Sequence, residues 1–232
     1  MSKVVAIHQP EHLPYPGFIG KVLQSDLFVI LDHVPYRRRY FQNRNKIVNK
    51  DGNEQWLIMP IKKAAFDAPI NSIIISDDHN WQRNYLGRLK EAYKNANNYN
   101  DFSPFIKKII LGKEKNLCKI NIDIIHFLLF DIFGYRGKIV RSSELNLKSS
   151  KSDLMLEISE KTGSDTYLSG TSGRDYLKVE SFNNSNIKLK FLDYNPFEFT
   201  KSVSPYLSVL DPLMRYDRNY VKEKILSNSI IS

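Results

Sequence analysis

The chain has a single cysteine, Cys118, among its 232 residues. That excludes an intrachain disulfide framework and any multi-cysteine metal site. Cys118 falls within an amphipathic helical pattern, where it reads as a small buried hydrophobe rather than a nucleophile. No stretch reaches the roughly 18–20 apolar residues that a bilayer span needs. The longest candidate, Ile120 to Phe133, is broken by Asn121, Asp123, His126 and Asp131. The N-terminus enters an apolar strand directly, without the long apolar core of a signal peptide, so the expected location is the cytoplasm. Internal repeats, low-complexity tracts and an interdomain linker are missing as well. So are zinc-finger and RNA-recognition signatures, a Walker-type lysine loop and a clear D-x-D pattern.

What is present is ordinary globular material, 42% hydrophobic and 25% charged, long enough for one substantial core. The net charge of +9 is high for this size. It suits an anionic small substrate such as a nucleotide-sugar, an acidic carrier protein or nucleic acid, or else a merely solvated basic surface. Basic runs occur at Arg37–Arg39, Lys62–Lys63 and Lys107–Lys108.

Two short continuous apolar runs, Val4 to His8 and Leu27 to Leu31, flank a proline-rich loop and a helix pattern over 17–24. Continuous rather than alternating runs suit strands of a sheet covered on both faces. Further along, Asn49 to Asn53 predicts a hairpin turn with Gly52 at positive φ, and Pro60 ends the returning strand that carries Trp56. Ile70 to Ile75 is a β-branched apolar run. Helices follow over 81–96, with Asp77 or Asp78 as cap, from Ser103-Pro104, and over 117–133 up to Gly134. The sheet pattern resumes with a strand over 138–141, a helix over 152–161, and strands over 166–168 and 187–192. The tail carries Pro205, Asp211 and Pro212 and then a short helix. The reading is one α/β domain over 1–232, with a mostly parallel central sheet, helices on both faces and a helical insert over about 79–134.

Chemistry-bearing residues collect at the ends of these strands. His8 follows the first strand, where a histidine hydrogen-bonds a phosphate, shuttles a proton or simply satisfies loop backbone. His12 invites the same reading, more weakly. A metal site on His8, Glu11 and His12 is disfavoured because Pro10 and Pro14 break the helix that i,i+4 ligands require. Asp32 ends the second strand, where an aspartate binds sugar hydroxyls or magnesium, or caps the next turn. Asn43, Arg44 and Asn45 offer amides and a planar guanidinium at close spacing, a set suited to a nucleotide-sugar. The second constellation, Ser169, Gly170, Ser172, Gly173, Arg174 and Asp175, follows a strand directly and resembles an anion cradle reinforced by the next helix dipole. It is neither a Walker loop nor a nucleophile elbow. Phe197 and Phe199 read as core packing rather than a stacking platform.

The blocks IHQPEHLPYPGFIGKVLQSDLFVILDHVPY, FQNRNKI, SGTSGRDYL and PYLSVLDPL, in that order over nearly the whole chain, resemble the WbqC-like family of bacteria. Leu207 to Asp211 fits the family's closing block, whereas Pro212 to Tyr216 departs from it. The resemblance implies cytoplasmic surface-glycan (O-antigen) biosynthesis, and a transferase forming an amide on the amino group of a nucleotide-linked amino-deoxy sugar. In that reading His8 is the general base and Asp32 orients it or binds sugar hydroxyls. Gln9, His12, Asn43, Arg44, Asn45, Ser169, Gly170, Ser172, Gly173, Arg174 and Asp175 then bind substrate, with no metal. The acyl donor stays open among a thioester on an acidic carrier protein, coenzyme A, an aminoacyl-tRNA, or ATP with a carboxylic acid. The competing readings are an ATP-dependent ligase or nucleotidyltransferase of the same pathway and a non-catalytic glycan-assembly protein.

Overall fold

The computed structural model describes residues 3–78, 80–197, 199, 204 and 206–232; His79 and Pro205 lie outside them. Strand β1 (Val4–His8) leads through a proline-rich loop into α1 (Pro16–Leu23) and then β2 (Leu27–Ile30). Pro16 sits at the first helical position, where its missing N–H has no partner to lose. A separate antiparallel hairpin, β3 (Arg44–Val48) and β4 (Glu54–Ile58), turns at Asn49–Asn53 with Gly52 at φ +82°. The apolar run 70–75 forms a 3₁₀ turn and isolated bridges to Ile61 and Asn116 instead of a sheet strand.

The helical insert comprises α2 (Asn80–Tyr93), α3 (Tyr99–Ile110) and α4 (Leu117–His126), the last continuing as a π-helical turn to Ile132. Asp78 accepts from the Asn80 amide at the start of α2. Helix α3 begins earlier than Ser103-Pro104 predicts. Pro104 lies inside its second turn, and Asn98 anchors the start by donating its side-chain amide to the Leu213 and Tyr216 carbonyls.

The chain then returns through β5 (Lys138–Arg141), α5 (Lys151–Lys161), β6 (Thr166–Gly170), α6 (Val179–Asn183) and β7 (Lys188–Tyr194). It closes with α7 (Leu210–Arg215), α8 (Arg218–Ser227) and β8 (Ser229–Ile231). Among the described residues the central sheet has the order β5-β2-β1-β6-β7-β8, parallel except for β8. Val5, Ile7, Leu27 and Val29 pack on one face with Leu154 and Ile158 of α5 and Phe182 of α6. Ala6, Phe28 and Ile30 pack on the other with α1, the insert, α7 and α8. Burial on both faces is why these strands read as continuous apolar runs.

From β1 the chain builds outward to β2 and β5, then crosses to β6 and builds the other way to β7. The order therefore reverses between β1 and β6, the topological switch point where open α/β sheets place ligands. Pairing of β1 with β6 ends at Ala6–Leu168, although β1 runs on to His8 and β6 to Gly170. The two strands part there, and the split between His8 and Gly170 marks the switch-point crevice of this sheet.

Candidate functional site

The crevice holds a cluster of titratable groups. His8 is half-buried, its ring edge-on to Phe18 at 4.9 Å, and its Nδ1 lies 3.1 Å from the Gln9 carbonyl. A carbonyl only accepts, so Nδ1 carries the proton and Nε2 keeps its lone pair. Nε2 stands 3.9 Å from Glu11 Oε1. Glu11 is buried, and its other oxygen, Oε2, has no hydrogen-bond partner among the described residues.

Lys21 on α1 completes the cluster. His8 O accepts from Leu31 N on the β2 side, so Ile7 O points the other way, into the gap beside β6. Lys21 Nζ fills that gap, donating to Ile7 O at 3.0 Å. Desolvation raises the Glu11 carboxyl to about 8, opposed by the Lys21 charge. Burial lowers Lys21 to about 7, opposed by Glu11. Burial and the Lys21 charge together hold His8 down to about 3, against the hydrogen bond to Gln9. Near neutral pH the cluster therefore contains a neutral imidazole and a carboxyl–amine pair that both titrate close by.

Sequence reasoning passed over Lys21, and the available signal was its spacing. Phe18, Lys21 and Val22 fall at i, i+3 and i+4, so the lysine occupies the apolar stripe of α1.

The other expected residues divide sharply. His12 is fully buried. Asn121 donates its amide to the Pro10 and Gln42 carbonyls, which leaves its Oδ1 to accept from His12 Nδ1. His12 Nε2 then accepts from Tyr85 OH at 2.7 Å, and burial lowers its pKa to about 4. His12 is thus a staple between the proline loop and the insert. Asn43 and Asn45 are staples as well. Asn43 accepts from Tyr36 OH and donates to Met59 O, while Asn45 donates to Leu13 O. Leu13 sits at φ +45°, and that bond helps hold its backbone there. Gln9 accepts from Gln42 Nε2 at 2.6 Å, joining the same two loops.

Asp32 is fully buried and presents no free oxygen. Its Oδ1 accepts from Ser142 Oγ and Ser143 N, and its Oδ2 from Ser143 Oγ and Arg141 Nε and Nη2. Burial opposes ionisation, but these bonds outweigh it and hold the carboxyl below its ordinary value. It ties the end of β2 to the segment after β5 and does not face the crevice as a sugar ligand would.

In the second constellation no long helix follows β6. A 3₁₀ segment, Thr171–Asp175, and the short α6 stand where a helix dipole was expected. Arg174 forks onto Asp193 at 2.6 and 2.8 Å rather than onto Asp175, and also donates to Ser232 Oγ. Gly173 is required by packing, since a Cβ there would lie 2.1 Å from Ser169 Oγ. Ser169 is buried, and Ser172 and Asp175 are exposed. Gly170 faces open space, with nothing within 4 Å of an added Cβ. Phe199 is buried in the core and packs edge-on to Phe197 at 4.9 Å.

Aromatic residues from several segments surround the cluster. Tyr15 feels the Glu11, Tyr206, Tyr40 and Tyr194 groups, and burial followed by these neighbours raises its pKa. Tyr40, Tyr176 and Tyr206 are each about half-exposed. Leu207 to Asp211 clamps this wall from outside, with Ser208 N donating to Lys46 O and Val209 N to Pro14 O. A groove of about 230 Å³ lined by Ile58, Pro60, Trp81, Asn84, Tyr85 and Arg88 shares no residue with the cluster. No helix is long and apolar enough to cross a membrane among the described residues.

An uncharacterized protein of Mycobacterium tuberculosis (strain ATCC 25618 / H37Rv), Rv1507c, is 25% identical over 217 residues, covering 91% of this chain and 93% of its own length. No solved structure matches the chain. The WbqC-like protein family model matches residues 9–223, from the proline loop of the cluster into α8. With that span, the chain belongs to the WbqC-like protein family, a group linked in general terms to glycan and O-antigen biosynthesis.

Proposed function

We propose that this protein forms an amide on the amino group of a nucleotide-linked amino-deoxy sugar destined for a surface glycan. The observation that carries the reading is the His8–Glu11–Lys21 cluster in the crevice between β1 and β6. Amide formation needs a free amine, and a sugar ammonium must first lose a proton. His8 is the least buried member, and its Nε2 lone pair accepts a hydrogen bond from that ammonium. Burial and the Lys21 charge hold its own pKa down to about 3, so the proton goes to Glu11. Glu11 behind it, at about 8, is a base matched to the working pH in a way that an ordinary carboxylate is not. The amine then attacks the carbonyl carbon of an activated acyl donor. A C–N bond forms, the bond to the leaving group breaks, and one of the two amine protons departs with that group while the other stays on the amide nitrogen. Holding amine and donor together in the crevice supplies the proximity such a transfer requires. In this reading Asp32, His12, Asn43 and Asn45 position the loops and touch no substrate.

Mass spectrometry of the surface glycan from a strain lacking the gene tests the proposal. The expected result is loss of one acyl or aminoacyl mass from an amino sugar, restored by the wild-type gene but not by His8→Ala or Glu11→Gln. A truncated or absent glycan with no missing substituent would overturn it. With purified enzyme, kcat/KM is expected to rise with pH to a plateau above about 8, and Glu11→Gln to abolish that limb. Lys21→Met removes the charge that lowers the Glu11 pKa, so it moves the limb to higher pH.

A further inference from the structure

We infer that the aromatic strip over the hairpin, flanked by Arg37 and Arg44, seats the nucleoside diphosphate part of the substrate; this rests on the nucleotide-linked reading above. Three rings from three segments form the strip. Trp56 lies 6.2 Å from Phe41 at 36°, and Phe41 lies 6.2 Å from Tyr206 at 39°. Such small tilts turn the ring faces roughly the same way, unlike the edge-on pairs Phe18–Phe28 and Trp81–Tyr85 inside the molecule. Tyr40 packs beside Phe41 at 5.4 Å, and Tyr206 reaches Tyr15 at 5.4 Å, so the strip runs down to the rim of the Glu11 cluster. Tyr40 and Tyr206 are 41% and 51% exposed. A run of roughly aligned rings from separate segments, with Phe41 and Trp56 half-buried and Tyr40 and Tyr206 more exposed, offers a planar base a stacking surface.

The cations point to the same ligand. Arg141, Arg174 and Arg215 each have an aspartate partner. Among the described residues Arg37 and Arg44 form no ion pair with a carboxylate, as is also true of Arg38, Arg39, Arg83, Arg88, Arg136 and Arg218; these two are set apart by standing beside the strip. The Arg44 guanidinium lies 4.1 Å over the Trp56 ring, is tethered through Nη2 to the Arg39 carbonyl, and leaves Nε without a partner. Burial raises the pKa of both the Tyr40 and Tyr176 hydroxyls, and the Arg37 charge opposes it at each, which puts Arg37 between the 37–42 loop and the segment after β6. Its backbone amide donates to Gln42 Oε1, and Gln42 is bound in turn to Gln9 next to His8. A diphosphate held by these two arginines places its base on the strip and its sugar toward the crevice. The expected phosphate cradle at 169–175 has its arginine committed to Asp193 instead.

The chain has two tryptophans, and Trp81 is buried in the insert, so Trp81→Phe leaves Trp56 as a local fluorescent reporter. UDP, dTDP, uridine and pyrophosphate are titrated into this variant, and into the wild-type protein by calorimetry. Both nucleoside diphosphates are expected to bind and to quench Trp56. Tyr206→Ala is expected to weaken them by about tenfold or more, the loss of one stacking ring. Arg37→Ala weakens UDP similarly while leaving uridine unchanged. No binding of either diphosphate at millimolar concentration, or binding that neither substitution weakens, overturns the inference. Nucleotide binding with an unaltered glycan in the deletion strain would sink the amide reaction and leave the strip standing. Amide formation with a KM indifferent to Tyr206→Ala would do the reverse.

Discussion

Glu11 and Lys21 are held in a place that suits neither charge, and the cost should be measurable as stability. The raised Glu11 pKa keeps a proton in the folded protein that the unfolded chain releases near 4.5. Its stabilising contribution is therefore full below 4.5 and lost as pH rises toward about 8. Lys21 runs the other way, with its contribution full above 10.5 and lost as pH falls to about 7. The depressed pKa values of His8 and His12 impose a separate loss below 6.5, so the informative quantity is a difference between proteins. Glu11→Gln is expected to be more stable than wild type by about 3 kcal/mol at pH 7, with the gap closing toward pH 4.5. Urea unfolding at several pH values checks this; parallel curves would locate the titration elsewhere. Asp32→Ala, by contrast, is expected to lose about 2–3 kcal/mol near neutral pH, because charge-assisted bonds to Arg141, Ser142 and Ser143 go together. Its folded pKa is depressed, so its contribution disappears only as pH falls below the ordinary 3.8.

At the scale of elements, α1 does two jobs through one packing geometry. It delivers Lys21 to the crevice, and it lies close against the end of the sheet through Gly17 and Gly20. A Cβ at Gly20 would meet Ser229 Oγ at 2.2 Å, and that hydroxyl already donates to Ile225 O at 2.7 Å. Gly20→Ala is expected to destabilise by about 1–3 kcal/mol, as overpacking does. Adding Ser229→Ala should recover part of the loss; no recovery in thermal unfolding would mean that α1 is displaced for another reason. The proline loop behaves as a second rigid unit, bound to the 41–45 segment through His12, Gln9 and Asn45 and to the insert through Asn121. That binding holds Glu11 under the aromatic rim.

For the molecule as a whole, the +9 charge includes the exposed run Arg37 to Arg39 beside the proposed nucleotide seat. Nucleoside diphosphate affinity is expected to fall several-fold when ionic strength rises from about 0.01 to about 0.15 M, as the screening length shortens to about 8 Å. Uridine, which carries no phosphate, should be indifferent. Calorimetry at the two salt concentrations separates these outcomes.

Local pattern was enough for much of this protein. Continuous apolar runs placed β1 and β2, Asp51-Gly52 placed the hairpin turn, Gly134 at positive φ closed the last helix of the insert, and the insert was visible as three helical periods. The short β8 escaped notice, because three residues carry no periodicity and the strand exists through its pairing with β7. Residue type also directed attention to the C-terminal edge of the parallel strands, and His8 lies at the switch point there. It could not tell which polar side chains there would be free. Asp32, His12, Asn43 and Asn45 find partners distant in sequence, among them Arg141, Asn121, Met59 and Leu13, and long-range pairing leaves no local signature. Nor could it show that Lys21 enters the gap where β1 and β6 part, or that Trp56, Phe41 and Tyr206 share a surface. The sequence by itself determined most of the elements and the sheet edge at which the proposed site lies. The tertiary structure decided which charged groups lose water without gaining a partner, because desolvation depends on the whole fold around a group.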